Sequence, residues 1–97
     1  MKIIYTKHLK FRLKERKIPL NLVEEIFERG KEYYFDTWRS HFIVIAKVNF
    51  KGKLRKVLVS YDKIGTKFEA ITIHPVSEKD IRQRIASKRW VNEKIKN

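Results

Sequence analysis

A chain of 97 residues with a formal net charge of +13 has room for one core, because so short a polypeptide buries only about 60–70% of its extended surface. Its 42% apolar content, including six Phe, four Tyr and two Trp, supplies that core and excludes a disordered chain. The absence of cysteine excludes disulfides and thiolate metal sites, and the longest wholly apolar run, Phe42 to Ala46, is far short of a membrane span.

The charge exceeds what solubility needs and creates a field that attracts polyanions. It is also uneven. Residues 19–38 hold Glu24, Glu25, Glu28, Glu32 and Asp36 against Arg29 and Lys31, whereas every other stretch is strongly basic. One acidic segment within a basic chain is a way to build a one-sided electrostatic surface, and nucleic acid is the first expected partner. The opening residues MKIIYTKH lack the apolar stretch and small-residue cleavage site of a signal peptide, so a cytoplasmic location is expected.

Thr6 is suited to cap a first helix running to about Lys17, ended by Ile18-Pro19 because a residue before proline is driven out of helical geometry. At 100° per residue Lys7, Lys10, Lys14 and Lys17 share one arc opposite Leu9 and Leu13, while His8 and Arg12 turn away from the lysines, toward the protein or a cleft. A second helix after Pro19 places Leu22, Val23, Ile26 and Phe27 on one face and stops at Gly30 as a left-handed cap.

The period then changes to two. Strands are expected over residues 32–37, 40–50, 54–61 and 68–74. Phe42, Val44, Ala46, Val48 and Phe50 share one face of the long strand, and Ile43 and Ile45 make its other face apolar, as in a central strand covered on both sides. Lys51-Gly52 closes a tight hairpin, and Gly65 marks the next connection. Ser77 caps a third helix to about Ser87, with Asp80 in the position of a capping-box partner. The predicted order ααββββα describes a single α+β domain, 1–97, with an antiparallel sheet.

His8, Arg12 and Arg16 stack on successive turns of the first helix. Imidazole titrates near neutrality and guanidinium binds phosphate oxygens in a fork, so the set suits proton transfer beside a phosphate. A locally hydrogen-bonded helix histidine with arginines paired to Glu15 is the structural alternative. His74 ends the last predicted strand, in phase with Phe68, Ala70 and Thr72, and a rigid strand end is a common seat for site residues. Tyr61 at the neighbouring strand end offers a phenol or an aromatic of the core rim. Arg82, Arg84, Lys88 and Arg89 form a basic strip that could grip phosphates, with Trp90 to stack on a base; a plain solvated helix face is the alternative. Trp38, Arg39 and His41 cluster at a turn and are assigned to fold and surface. Three scattered glycines give no phosphate-binding loop, the histidines and aspartates show no metal-ligand spacing, and no Ser or Cys nucleophile motif occurs. No cofactor or metal is expected.

The run YTKHLKFRLKERKIPLNLVEEIF, the strands after it and the closing ITIHPVSEKDIRQRIASKRW resemble, over nearly the whole chain, an uncharacterised family related to the RelE and BrnT toxins. The resemblance implies helices packed on a curved four-stranded antiparallel sheet, and RNA cleavage without metal in which the ribose 2′-hydroxyl is the nucleophile. It also implies an antitoxin partner, here an acidic one. Carried onto this chain, it supports His8 with Arg12 and Arg16, and His74 with the arginines that follow.

The expected function is therefore a toxin-type endoribonuclease acting on RNA, ribosome-bound RNA included. His8 or His74 would take the 2′-hydroxyl proton, the other histidine or Tyr61 would protonate the leaving oxygen, and Arg12, Arg82 and Arg89 would stabilise the phosphorane. Arg16, Arg82, Arg84, Lys88, Arg89 and Trp90 would bind the strand. The alternative is a non-catalytic module that binds nucleic acid or an acidic protein through the same basic face. A site requires His8 and His74 to face one cleft; a module requires only a basic strip.

Overall fold

The computed structural model describes residues 2–93. The α+β class holds, but the sheet differs from the expected four antiparallel strands. It has six, β1 (Lys2–Tyr5), β2 (Glu32–Asp36), β3 (His41–Phe50), β4 (Lys53–Ile64), β5 (Lys67–Pro75) and β6 (Trp90–Asn92), in the order β1-β5-β4-β3-β2-β6. It is mixed, because β1 runs parallel to β5 while the other pairs are antiparallel. The chain therefore opens on a strand rather than a helix.

The two added strands are short and pair with distant segments. Residues 2–5 join β5 from Lys67 to Ala70, and Trp90–Asn92 joins β2 from Tyr34 to Asp36. Neither carries enough alternation to be read locally, since a period-two pattern needs several residues to declare itself.

Helix α1 (Lys7–Glu15) starts where Thr6 accepts the Leu9 N–H at 3.1 Å. It ends with Lys17 in left-handed geometry (φ 55°) and the Ile18 N–H bonded to the Leu13 carbonyl at 2.8 Å. That closing arrangement satisfies carbonyls the last turn would otherwise leave unpaired. Helix α2 (Asn21–Arg29) buries Leu22, Val23, Ile26 and Phe27. Gly30 after it is not the expected left-handed cap: its φ is −53°. A Cβ there would stand 2.5 Å from Val44 Cγ2 and 2.6 Å from the Tyr33 hydroxyl, so the glycine lets the chain pass close over β3. Helix α3 (Glu78–Ala86) is capped by Ser77, which accepts the Asp80 N–H at 3.1 Å.

The sheet has an apolar cluster on each face. On one side α1 and α2 cover Val44, Ala46, Val48, Val57, Val59, Tyr61 and Ala70. On the other, α3 contributes Ile81 to a smaller cluster with Ile43, Ile45, Leu58 and Trp90. Lys56 ties α3 down, pairing with Glu32 at 2.6 Å and with Glu78. Because α3 is short and buries only Ile81, much of this second face stays open.

Both expected turns form. Lys51 and Gly52 have φ of 52° and 83°, the two positive values that a two-residue hairpin loop requires, and the hairpin sets the register from Phe50↔Lys53 to Phe42↔Tyr61. Along β4 and β5 the register shifts once. Ser60 faces Thr72, but Tyr61 faces Ala70, so Ile71 is an extra residue in β5. Such a bulge reverses the side-chain phase beyond it. Ala70 lies in the helix-covered core, whereas Thr72 and His74 pair with Ser60 and Leu58, the latter in the cluster on the opposite face. The expected phase of His74 with Phe68 and Ala70 is thereby overturned.

Candidate functional site

β1 pairs only with the first part of β5. At Tyr5 the chain leaves the sheet, with the Thr6 N–H bonded to the Ala70 carbonyl at 3.3 Å, and α1 then runs beside the continuing edge of β5. A cleft of about 220 Å³ opens there, lined by His8 and Arg12 from α1, by Arg16 at its C-cap and by Ile71, Thr72, Ile73 and His74 from β5. The i, i+4, i+8 series of α1 thus faces the end of β5. Two histidines far apart in sequence and two arginines border one space.

The His74 ring is oriented. Its Nδ1 lies 3.0 Å from the Pro75 carbonyl; a carbonyl only accepts, so the contact calls for hydrogen on Nδ1, and in the neutral ring the lone pair is then on Nε2. That nitrogen can take a proton. His8, Arg12 and Arg16 are exposed, within reach of a ligand entering from solvent.

A second, larger groove of about 390 Å³ lies on the open sheet face and shares Ile71, Thr72 and His74 with the cleft. Leu58, Ser60 and Ile43 also line it, with Arg39, His41, Arg84 and Arg89 as its basic groups and Asp36 as its acid. Ser60 and Thr72 hydrogen-bond across the strands. Bulging at Ile71 is what turns Thr72 and His74 toward this groove.

Asp36 organises one end of the groove. It is 3% exposed, accepts the Trp38 and Arg39 backbone N–H groups at 3.0 and 3.2 Å, and takes a forked contact from Arg89 at 3.0–3.2 Å. Burial alone would push its carboxyl up, but the Arg89 guanidinium and the two backbone donors outweigh that and hold it below its ordinary value. His41 Nδ1 meets Asp62 Oδ1 at 2.8 Å. A carboxylate holding Nδ1–H leaves Nε2 as the free ring nitrogen.

The other expected site residues lie elsewhere. Tyr61 is 2% exposed, packed among Phe27, Phe42 and Phe68 in the cluster under the helices, and lines neither opening. Burial, followed by the nearby Tyr33 and Glu93, pushes its phenol up to about 12, so it is placed neither to give nor to take a proton in the cleft. Trp90 is buried and stacked on Tyr34 at 5.4 Å, with no face for a base. Arg82 and Lys88 are exposed but border neither opening. Arg84 and Arg89 do line the groove, although Arg89 is largely committed to Asp36.

Arg39, His41 and Asp62, assigned to surface or unremarked in the sequence, belong to the groove or its second layer. A signal for the dyad was present: the Lys51-Gly52 turn pairs Phe50 with Lys53, and carrying that register down the strands sets His41 opposite Asp62. Among the described residues no three His, Asp or Glu side chains come together as metal ligands, and no helix is long and apolar enough to cross a membrane. The chain matches no protein-family model, no curated protein and no solved structure.

Proposed function

We propose that this protein is an endoribonuclease of the toxin type that cleaves RNA by metal-independent acid–base chemistry in the cleft between α1 and the end of β5. One observation carries the reading: His8 and His74 line the same cleft, together with Arg12 and Arg16. Cleavage at a phosphodiester needs two proton-transfer groups at one phosphate and cationic donors for the charge that develops there.

In this scheme His74 is the base, since the Pro75 carbonyl fixes its Nδ1–H tautomer and leaves Nε2 to accept the 2′-hydroxyl proton. The 2′-oxygen attacks phosphorus, the bond to the 5′-oxygen breaks, and His8 as imidazolium protonates that leaving oxygen. The products are a 2′,3′-cyclic phosphate and a 5′-hydroxyl. Arg12 and Arg16 hold the non-bridging oxygens as the phosphorane forms, a role guanidinium fills through forked donors. The basic charge surrounding this cleft also suits neutralisation by an acidic antitoxin in the cytoplasm.

The test is incubation with RNA in excess chelator. Wild type should release 2′,3′-cyclic ends, His8→Ala and His74→Ala should each lower the rate by about 100-fold or more, and a 2′-deoxy substitution at the cut site should block it. RNA that is bound by wild type yet stays intact would sink the enzyme reading and leave a binding module.

A further inference from the structure

We infer that the sheet-face groove is a second nucleotide subsite, with Trp38 beside it as the stacking platform for a base of single-stranded nucleic acid and with Arg39 and Arg84 holding its phosphate. This extends the cleavage reading and rests on it for the identity of the strand: the groove would hold the nucleotide next to the one being cut. Continuity supports the assignment, because Ile71, Thr72 and His74 line both openings, and a strand leaving the cleft meets the groove directly.

Trp38 and Phe11 are exposed large aromatics that folding does not account for, and of the two Trp38 adjoins residues that line the groove. It is 70% exposed, against 2% for Trp90, and yet it is not loosely held. Asp36 pins its backbone N–H at 3.0 Å and also grips Arg89, whose guanidinium carbon stands 4.9 Å from the Trp38 ring centroid. The indole is thus backed by a cation on one side and free on the remainder; it does not itself line the groove, but its chain neighbour Arg39 and its partner Arg89 do, and the groove's basic side chains outnumber its single acid. An aromatic face beside arginines is the recurring way to bind bases without sequence readout. An acidic protein segment would use the cations but leaves the open indole face without a flat partner, and so fits less well.

The arrangement supplies its own reporter. Of the two tryptophans only Trp38 is accessible, so a base stacked on it should quench intrinsic fluorescence. The probe is a short 2′-O-methyl oligonucleotide, which cannot be cleaved. Wild type should show saturable quenching; Trp38→Phe should abolish the signal while keeping affinity in a competition assay; Trp38→Ala should weaken affinity roughly tenfold. Arg39→Ala should weaken it further at low salt and flatten its salt dependence. His8→Ala should lose cleavage and keep full quenching. Binding that leaves Trp38 fluorescence unchanged overturns the subsite even if wild type cleaves RNA. Saturable quenching in wild type, with an affinity that Trp38→Phe keeps and Trp38→Ala weakens, upholds the subsite even if wild type cleaves nothing. Equal quenching by polyglutamate overturns it in favour of an acidic protein partner.

Discussion

Tyr61 and His74 lie on neighbouring strands and face opposite sides of the sheet, because a single extra residue, Ile71, separates the phase of Thr72 and His74 from that of Ala70, which shares the Tyr61 side. On the proposed cleavage reading, proton transfer to the leaving oxygen falls to the second histidine and not to a phenol. Tyr61→Phe should leave the cleavage rate within about twofold of wild type, since the hydroxyl is buried away from the cleft; a loss comparable to that of His8→Ala would refute the assignment. Asp36 gives a second test at this scale. Its carboxyl is held low, so its contribution is fully present above the ordinary carboxylate value of 3.8 and is lost as pH falls below that value toward the folded one. Asp36→Asn should cost about 3 kcal/mol near neutrality by leaving the mostly buried Arg89 without its counter-charge. Denaturant melts should then show a shallower loss of stability from pH 5 to pH 3 than in wild type. An unchanged acid limb would mean that other carboxylates set it.

At the level of elements, what the sequence made legible was what is local. Thr6 and Ser77 act as caps, Lys51-Gly52 closes its hairpin, and the alternation of Phe42 to Phe50 marks a two-sided central strand. The i, i+4, i+8 series of His8, Arg12 and Arg16 was equally plain, because helix geometry fixes which residues share a face. β1 was not legible: KIIY has no clear period, and its partner is parallel and remote. The bulge was hidden for a different reason, since Ile71, Thr72 and Ile73 are all β-branched and suit a strand in either phase. Gly30 was read as the left-handed cap of the second helix, yet it answers a tertiary contact. Gly30→Ala would push a methyl group into Val44, which is fully buried, and should lower stability by about 1–3 kcal/mol. Were it a left-handed cap, alanine would instead cost through backbone strain at positive φ. A crystal structure of the variant separates the two, with displaced Val44 and Tyr33 side chains and an unchanged φ at position 30 expected.

Across the whole molecule, a net charge of +13 draws any polyanion toward the surface, so affinity alone cannot identify a site. Salt dependence can, because it counts the phosphates that are neutralised. For a single strand the slope of log affinity against log salt is about −0.7 per contact. If Arg12 and Arg16 together hold the scissile phosphate in the cleft and Arg39 and Arg84 together hold the next one in the groove, two phosphates are neutralised and the slope should be about −1.4. Replacing both arginines of either pair by alanine should reduce it by about 0.7. Lys10 is the matched control: it lies on α1 two residues from Arg12, is exposed, and borders neither opening. Lys10→Ala should therefore lower affinity slightly through the general field and leave the slope intact. The acidic face of α2, with Glu24 and Glu28 exposed, packs under the opposite side of the sheet from the groove, so a strand held along cleft and groove avoids it. If Lys10→Ala reduced the slope as much as the paired loss of Arg12 and Arg16, nucleic acid would be held by diffuse charge, and neither the cleft nor the groove could be said to position it.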